Sequence, residues 1–172
     1  INVNDTSFYS PSRASQIEDV VAKASQMLLD GATILDLGAM SSKPGAKIIS
    51  TEDEIRLIVP AVESVLNKFP EAIISVDTLR SEVAEKVIQT GAVMINDISA
   101  GDFDSKMMDV LASHRVPFIM MHMNGLPENM QVNPKYEDVT LEITRFFIRK
   151  IHQCKQAGMV DLIRSEEHTS EL

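Results

Sequence analysis

Short apolar runs alternate along the chain with longer stretches in which apolar residues recur at helical spacing. Each short run predicts a buried strand, and each longer stretch predicts an amphipathic helix. Three helical stretches are followed by a glycine, Gly31, Gly91 or Gly158, where a helix is expected to end. Strands and helices that alternate at this spacing predict βαβ units and a parallel sheet. The predicted strands cover 1–3 (the end of a strand), 33–37, 72–76, 92–95, 118–121 and 159–163 (the start of a sixth), and the predicted helices cover 17–28, 51–69, 83–88, 103–111 and 139–154.

Polar residues stand at the ends of the predicted strands, where parallel α/β enzymes place their active sites. An aspartate and an asparagine on neighbouring strands, Asp77 and Asn96, suit a flat heterocycle with an amide-like edge. A carboxylate accepts two N–H bonds from an amino-pyrimidinone, and an amide matches the donor–acceptor pair beside it. The full set of candidates is Asn2, Asp36, Ser41, Ser42, Lys43, Asp77, Asn96, Asp97 and His122.

Three of these candidates keep two interpretations open at this point. Asp36 either faces a ligand or hydrogen-bonds the backbone of the loop that follows it. Asp97 is expected to anchor its turn rather than to bind a ligand. His122 is expected to support the site from behind rather than to contact a ligand directly.

Several common sites are missing from the sequence. No Gly-x-Gly-x-x-Gly follows a predicted strand, so a (β/α) barrel is favoured over a dinucleotide-binding sheet. The strand ends lack three His or acidic ligands at the spacing of a zinc site, and they lack the Gly-x-Ser-x-Gly of a nucleophile elbow. Thr51 and Glu54 fit a capping box at the start of a helix. Cys154, the single cysteine, is expected to be a helix core residue in a reducing compartment.

Composition narrows the class of partner. The 172 residues suffice for one ordinary domain, and 44% hydrophobic with 24% charged residues is typical of a globular protein. The net charge of −9 argues against nucleic-acid or anionic-membrane binding, because such binding needs clustered Lys and Arg. No apolar run approaches the roughly 20 residues that span a bilayer. Composition and charge therefore disfavour nucleic acid and anionic membranes as partners.

Five segments in order along the chain resemble the successive motifs of the dihydropteroate synthase family. A sixth, the loop 127–136, is similar to the loop that follows them in that family. The resemblance covers nearly all of residues 1–163, which we interpret as one partial pterin-binding TIM-barrel domain. Residues 164–172 lack any periodicity, and we interpret them as a non-native tail. The five segments are 2–8, 36–46, 75–78, 95–98 and 121–125.

The resemblance implies an α/β fold, a TIM (β/α)8 barrel of which about strands 1–5 and the start of strand 6 are present. It implies condensation of 6-hydroxymethyl-7,8-dihydropterin diphosphate with 4-aminobenzoate to 7,8-dihydropteroate and diphosphate, a step of folate synthesis. No residue is expected to form a covalent intermediate. Without the last strands, the chain by itself is expected to be inactive and prone to aggregate through its exposed edges. The pterin contacts that the resemblance implies are Asp77, Asn96, Ile98, Met121 and Ser42.

The resemblance further implies Mg²⁺ bound to the diphosphate and met by Asn2. Phe8, Ser42, Lys43 and Pro44 would belong to two loops that close over the aminobenzoate, where sulfonamides compete. Lys43 stands where the family usually has Arg, so it keeps the charge but loses the bidentate geometry. A cytoplasmic location and a homodimer of the full-length protein are also implied.

Two rival functions stay open. A pterin-dependent methyltransferase on the same kind of barrel would need the Asp and Asn contacts but neither the 42–45 loop nor the 121–123 segment. A non-catalytic paralogue would bind pterin, or support a partner, without turnover. The departure of Asn4-Asp5-Thr6-Ser7-Phe8 from the family's usual Thr-Pro-Asp-Ser-Phe is what favours the paralogue.

Overall fold

The structure is a computed structural model that describes residues 1–3, 13–40, 49–123 and 136–159. Helices and strands alternate through these ranges, as the sequence predicts. The elements are α1 (Arg13–Leu29), β1 (Ile34–Gly38), α2 (Thr51–Lys68), β2 (Ile73–Asp77), α3 (Ser81–Thr90), β3 (Met94–Asp97), α4 (Met107–His114), β4 (Phe118–Met120) and α5 (Val139–Gln156).

The four described strands form one parallel sheet in which the spatial order β1-β2-β3-β4 follows the chain order. Asn2 makes an isolated parallel bridge with Gly38, so residues 1–3 lie beside β1 as the predicted end of a strand. The predicted α/β class and parallel sheet are confirmed. Of the predicted sixth strand, only Met159 lies within the described residues.

The two faces of the sheet have different environments because side chains alternate along a strand. Leu35, Leu37, Ile74, Val76 and Ile95 are buried in the core. Helices α1 to α4 pack against one another in consecutive pairs. The opposite face carries the apolar side chains of Ile34, Ile73 and Ile119, each at least 40% exposed. A parallel sheet whose helices form an outer layer is the architecture of a barrel wall.

Local signals explain most helix ends. Gly31, Gly91 and Gly158 have φ values of 95°, 119° and 92°, a left-handed conformation that glycine adopts without steric cost. The predicted capping box is wrong. Ser50, one residue earlier than predicted, caps α2 by accepting a hydrogen bond from the Asp53 amide, and this leaves the Glu54 carboxylate for another partner.

The start of α4 is another difference from the sequence pattern. Residues 103–106 are not helical, and α4 begins at Met107. The Asp104 carboxylate instead accepts hydrogen bonds from the amides of Ser81 and Lys106, so that it caps α3 from a neighbouring loop. Among the described residues, no helix is both long and apolar enough to cross a membrane.

Candidate functional site

The carboxyl ends of β1, β2 and β3 bring the central polar candidates together. Gly38 is the register partner of Asp77, and Asp77 is the register partner of Asn96. Partners in a parallel sheet project to the same face, and Asp36 shares that face because it lies two residues before Gly38. The structure therefore places Asp36, Asp77 and Asn96 on the face opposite the helices. Their roles toward a ligand stay a prediction.

Asp36 and Asn96 are joined directly. The Asn96 side-chain nitrogen donates a hydrogen bond of 3.2 Å to the Asp36 carboxylate, across 60 residues of chain. The sequence leaves a ligand or the loop backbone as the partner of Asp36. The partner seen here is a third one, the side chain of Asn96, which the Asp36 carboxylate orients. An amide has two N–H donors and one acceptor oxygen, so Asn96 keeps one donor and the oxygen for a ligand.

Asp77 lies in the most strongly perturbed electrostatic environment of the site. Burial, together with the nearby charges of Asp36, Asp97 and Glu54, raises the pKa of its carboxyl from 3.8 to about 6. When a carboxyl group lies among other acids, N–H donors or cations that bind to it favour its ionised form. Perturbed groups of this kind cluster at functional sites.

Gly38 leaves room beside that carboxyl. A Cβ placed on Gly38 would lie 3.3 Å from the Asp77 Cβ and 3.6 Å from its Oδ2. The glycine therefore keeps one side of the Asp77 carboxyl accessible to a flat ligand.

Asp97 anchors the turn after β3, as the sequence predicts. Its carboxylate accepts hydrogen bonds of 2.7 Å from both the amide and the hydroxyl of Ser99, and of 2.8 Å from the Gly101 amide. Burial raises the pKa of Asp97. Ile98, which the resemblance implies as an apolar wall of the pterin site, lies half-buried in this turn.

Met121 and His122 follow β4. Met121 is half-buried, directly after the strand, which is compatible with the predicted wall. The His122 ring makes an edge contact with Phe146 of α5 at 4.9 Å between centroids, and a tilted contact with Tyr136 at 6.0 Å. These contacts match the predicted supporting role of His122.

Cys154 lies fully buried in α5, in agreement with the prediction of a helix core residue. Burial raises the pKa of its thiol, so this thiol is poorly suited to act as a nucleophile.

Asn2 sits at the same edge of the sheet. Its side-chain nitrogen donates a hydrogen bond of 3.3 Å to the carbonyl oxygen of Met40. In the described ranges, His, Cys, Asp and Glu form no group of three or more that could hold a metal ion. A Mg²⁺ ion carried by a substrate diphosphate needs only one or two oxygen ligands from the protein, which fits the amide oxygen of Asn2.

Several predicted site residues lie outside the described ranges: Phe8, Ser41, Ser42, Lys43 and Pro44, together with the interpreted tail 164–172. Their roles stay predictions. The boundary at residue 163 also stays a prediction.

A buried polar cluster at this edge was missed in the sequence. Thr78 donates a hydrogen bond of 2.6 Å to the Glu54 carboxylate, which also forms a salt bridge with Arg80. Glu54 and Thr78 are completely buried. Glu54 lies on α2, 24 residues before Thr78 and 26 before Arg80, so these residues meet only because α2 packs beside α3, and no local pattern in the sequence signals the contact.

Comparisons with known proteins agree with this geometry. The family model described as "Pterin binding enzyme" matches residues 1–163. The dihydropteroate synthase of Escherichia coli (strain K12) is 39% identical over 159 residues, which cover 92% of this chain and 56% of that protein. The chain thus spans about half the length of the curated relatives that it matches.

Solved structures match the fold as well. The Yersinia pestis dihydropteroate synthase, crystallised with a sulfonamide drug, has a TM-score of 0.82 at 35% identity and covers 92% of this chain and 57% of its own. The Xanthomonas albilineans dihydropteroate synthase with 4-aminobenzoic acid has a TM-score of 0.80 at 33% identity, with coverages of 92% and 55%. The predicted fold is confirmed, because the described sheet and helices match part of the TIM barrel of these proteins. The chain therefore belongs to the pterin binding enzyme family.

Proposed function

We propose that this chain supplies the pterin-binding part of a dihydropteroate synthase. The observation that carries the proposal is the pairing of Asp77 with Asn96 on one exposed face of the sheet, at its carboxyl edge. The family match and the two similar synthases support the same activity.

The pterin ring is recognised through hydrogen bonds to its amino-pyrimidinone edge. Ionised Asp77 accepts two N–H bonds from this edge, and Asn96 offers its remaining N–H and its amide oxygen beside them. Asp36 fixes the orientation of Asn96 through their hydrogen bond of 3.2 Å. A ring that lacks these N–H donors leaves a partly buried carboxylate without a partner, which makes the site selective.

The reaction needs little covalent chemistry from the protein. The amine nitrogen of 4-aminobenzoate attacks the methylene carbon of the pterin, the carbon–oxygen bond to diphosphate breaks, and diphosphate leaves with the electron pair. The amine then loses a proton to solvent. The contribution of this chain is to bind and orient the pterin for attack.

The second substrate and the metal complete the proposal. The Xanthomonas albilineans relative has been crystallised with 4-aminobenzoic acid, which supports the same substrate here. Phe8, Ser42, Lys43 and Pro44 are the residues that we propose to contact it, together with the diphosphate. Asn2 would hold a diphosphate-bound Mg²⁺ ion, which neutralises charge on the leaving group when it is bound.

The test uses a completed chain, in which residues 1–163 are joined to the part of the Escherichia coli relative that follows its match. We expect 4-aminobenzoate to bind this completed chain only when diphosphate and Mg²⁺ are present, and pteroate to form from both substrates. A methyltransferase or a non-catalytic paralogue predicts no diphosphate-dependent binding of 4-aminobenzoate. Such a result would overturn the proposal.

Matched variants locate the site. Asp77→Asn and Asn96→Ala are each expected to weaken pterin binding by about 10- to 100-fold, the loss of one or more good hydrogen bonds to a charged or oriented group. Asp109→Asn, on the exposed face of α4, serves as the control and is expected to bind normally. Normal pterin binding by both site variants would contradict the assignment of the site.

A further inference from the structure

Thr78 directly follows Asp77, the proposed pterin contact at the end of β2, and is completely buried. Its hydroxyl donates a hydrogen bond of 2.6 Å to the carboxylate of Glu54, which lies on α2. The Thr78 side chain therefore points into the helix layer, whereas Asp77 lies on the opposite face of the sheet. Thr78 thus connects the helix layer to the strand end that carries the proposed site.

The backbone of Thr78 makes a second connection. Its amide donates a hydrogen bond of 3.0 Å to the carbonyl oxygen of Asn96 on β3. Asp77 and Asn96 are register partners, and this bond comes directly after them, at the point where β2 ends. The end of a strand opens easily, because local opening costs least where few contacts follow. The Thr78 amide therefore closes the pairing of Asp77 with Asn96.

Glu54 is a well-fixed partner for the Thr78 hydroxyl. Its side chain is completely buried, and its carboxylate also forms a salt bridge with Arg80, whose side chain is 13% exposed. The Thr78 hydroxyl in turn accepts a hydrogen bond of 3.2 Å from the Arg80 amide. Hydrogen bonds to a buried charged group are stronger than those between neutral groups, so this network keeps Thr78 in one position.

We propose that Thr78 is a positioning residue of the pterin site, whose hydroxyl, anchored on Glu54, holds the end of β2 so that Asp77 stays beside Asn96. The inference rests on the proposed function, because it takes Asp77 and Asn96 as the pterin contacts. Two side chains bind one ring edge most tightly when both are in place before the ligand arrives, since ordering them on binding lowers the affinity. Thr78 faces the helix layer and acts only through its neighbour.

The hydroxyl can be removed while the shape of the side chain is kept. Thr78→Val keeps the branched side chain and leaves Glu54 paired with Arg80, so no charge is left buried without a partner. Thr78→Ser is the converse variant, which keeps the hydroxyl and loses the methyl group. Thr90→Val is the matched control, because the Thr90 hydroxyl donates to the carbonyl oxygen of Lys86 at the last residue of α3.

The first measurement is binding and turnover of the pterin diphosphate by the completed chain. In Thr78→Val, the Kd and KM for the pterin diphosphate are expected to rise about ten-fold, whereas the KM for 4-aminobenzoate changes less than about two-fold. Thr78→Ser and Thr90→Val are expected to stay within about three-fold of the parent. A Thr78→Val variant that loses stability in urea but keeps both KM values would show a merely structural role and overturn the inference. An equal rise in both KM values, or an equal loss in Thr78→Ser, would overturn it as well.

The second measurement is hydrogen exchange of individual amides, which needs no ligand. In the parent, the Thr78 amide is expected to be as protected as the amides within β2, because it is bonded to Asn96. In Thr78→Val, the amide of residue 78 is expected to exchange about ten-fold faster, with the amides of α5 unchanged. An unprotected Thr78 amide in the parent, or unchanged or uniformly faster exchange in the variant, would refute the positioning role.

The two measurements also separate this inference from the proposed function. A parent chain that binds no pterin diphosphate would overturn the proposed function. The exchange of the amide at residue 78 would then still decide whether the Thr78 hydroxyl holds the end of β2.

Discussion

Replacing Asp77 with asparagine should stabilise the folded protein while it weakens the proposed contact with the pterin. Burial and neighbouring acids raise the pKa of Asp77 from 3.8 to about 6. A difference of about 2 pKa units corresponds to about 3 kcal/mol, since each unit is worth 1.36 kcal/mol at 25 °C. Among the described residues, no hydrogen bond ends on the Asp77 carboxylate, so Asp77→Asn removes the charge without removing a hydrogen bond to any of those residues.

The sign of the effect follows from proton linkage. Between about pH 4 and pH 6 the folded state holds a proton on Asp77 that the unfolded state has released, so stability falls as the pH rises through this window. The asparagine variant does not titrate and avoids this loss. Asp77→Asn is therefore expected to be more stable than the parent by up to about 3 kcal/mol above pH 6, with the difference vanishing below about pH 4.

The assay is urea unfolding of the completed chain from pH 4 to pH 8, with pterin binding measured on the same samples. Asp104→Asn provides a control of opposite sign. Burial acts to raise the pKa of Asp104, but hydrogen bonds from Ser81 outweigh it and leave the pKa lowered. That variant should lose about 1 kcal/mol above pH 4, because asparagine has one acceptor oxygen, whereas the Asp104 carboxylate accepts from the amides of both Ser81 and Lys106. An Asp77→Asn variant with the same pH dependence as the parent would refute the reasoning.

Further expectations concern the proposed pterin contacts at the carboxyl edge of the sheet, the glycine that ends α3, and Lys150, which is buried in α5. Binding of pterin should release a proton below about pH 6, because the N–H donors of the ring favour the ionised form of the Asp77 carboxyl; calorimetry in buffers of different ionisation enthalpy detects this proton. Gly38→Ala should weaken pterin binding about ten-fold with the fold retained, by circular dichroism and ligand titration. Gly91→Ala should cost about 1 kcal/mol more than Gly31→Ala, since its Cβ would lie 2.7 Å from Leu66; equal costs in urea unfolding would contradict this. Lys150→Met should leave stability within about 1 kcal/mol of the parent, or above it, because the lysine is buried at 1% exposure against a largely exposed acid; a larger loss would show that the ion pair is needed.

The strands, most helix ends and the polar strand ends could be predicted because their signals are local. The three glycines that close helices each have a positive φ, which the sequence signals through the residue type alone. Asp77 and Asn96 each follow an apolar run directly, and parallel strands place such positions at one edge. That step needs only the order of the elements and not their detailed packing.

Contacts between distant residues could not be predicted in the same way. Thr51 and Ser50 are both hydroxyl residues in the right place for a cap, and only the backbone at Ser50 decides between them. The partner of Asp36 lies 60 residues away, and the partners of Glu54 lie 24 and 26 residues away. The Asp36–Asn96 pair depends on the register of the sheet, where a shift by one residue would turn every side chain of a strand to the other face, and the contacts of Glu54 depend on the packing of α2 beside α3.

The strands lie in the sheet in the same order as along the chain. This order affects how the carboxyl edge of the sheet, which carries the proposed pterin contacts, is assembled. Each strand pairs with the one made just before it, so every new strand docks onto a neighbour that already exists. Such nearest-neighbour pairings have short sequence separations, which favours rapid and stepwise formation. As the ribosome extends the polypeptide, Asp77 of β2 and Asn96 of β3, the pair proposed to bind the pterin ring, can come together once residue 97 has emerged, before any later strand is synthesised.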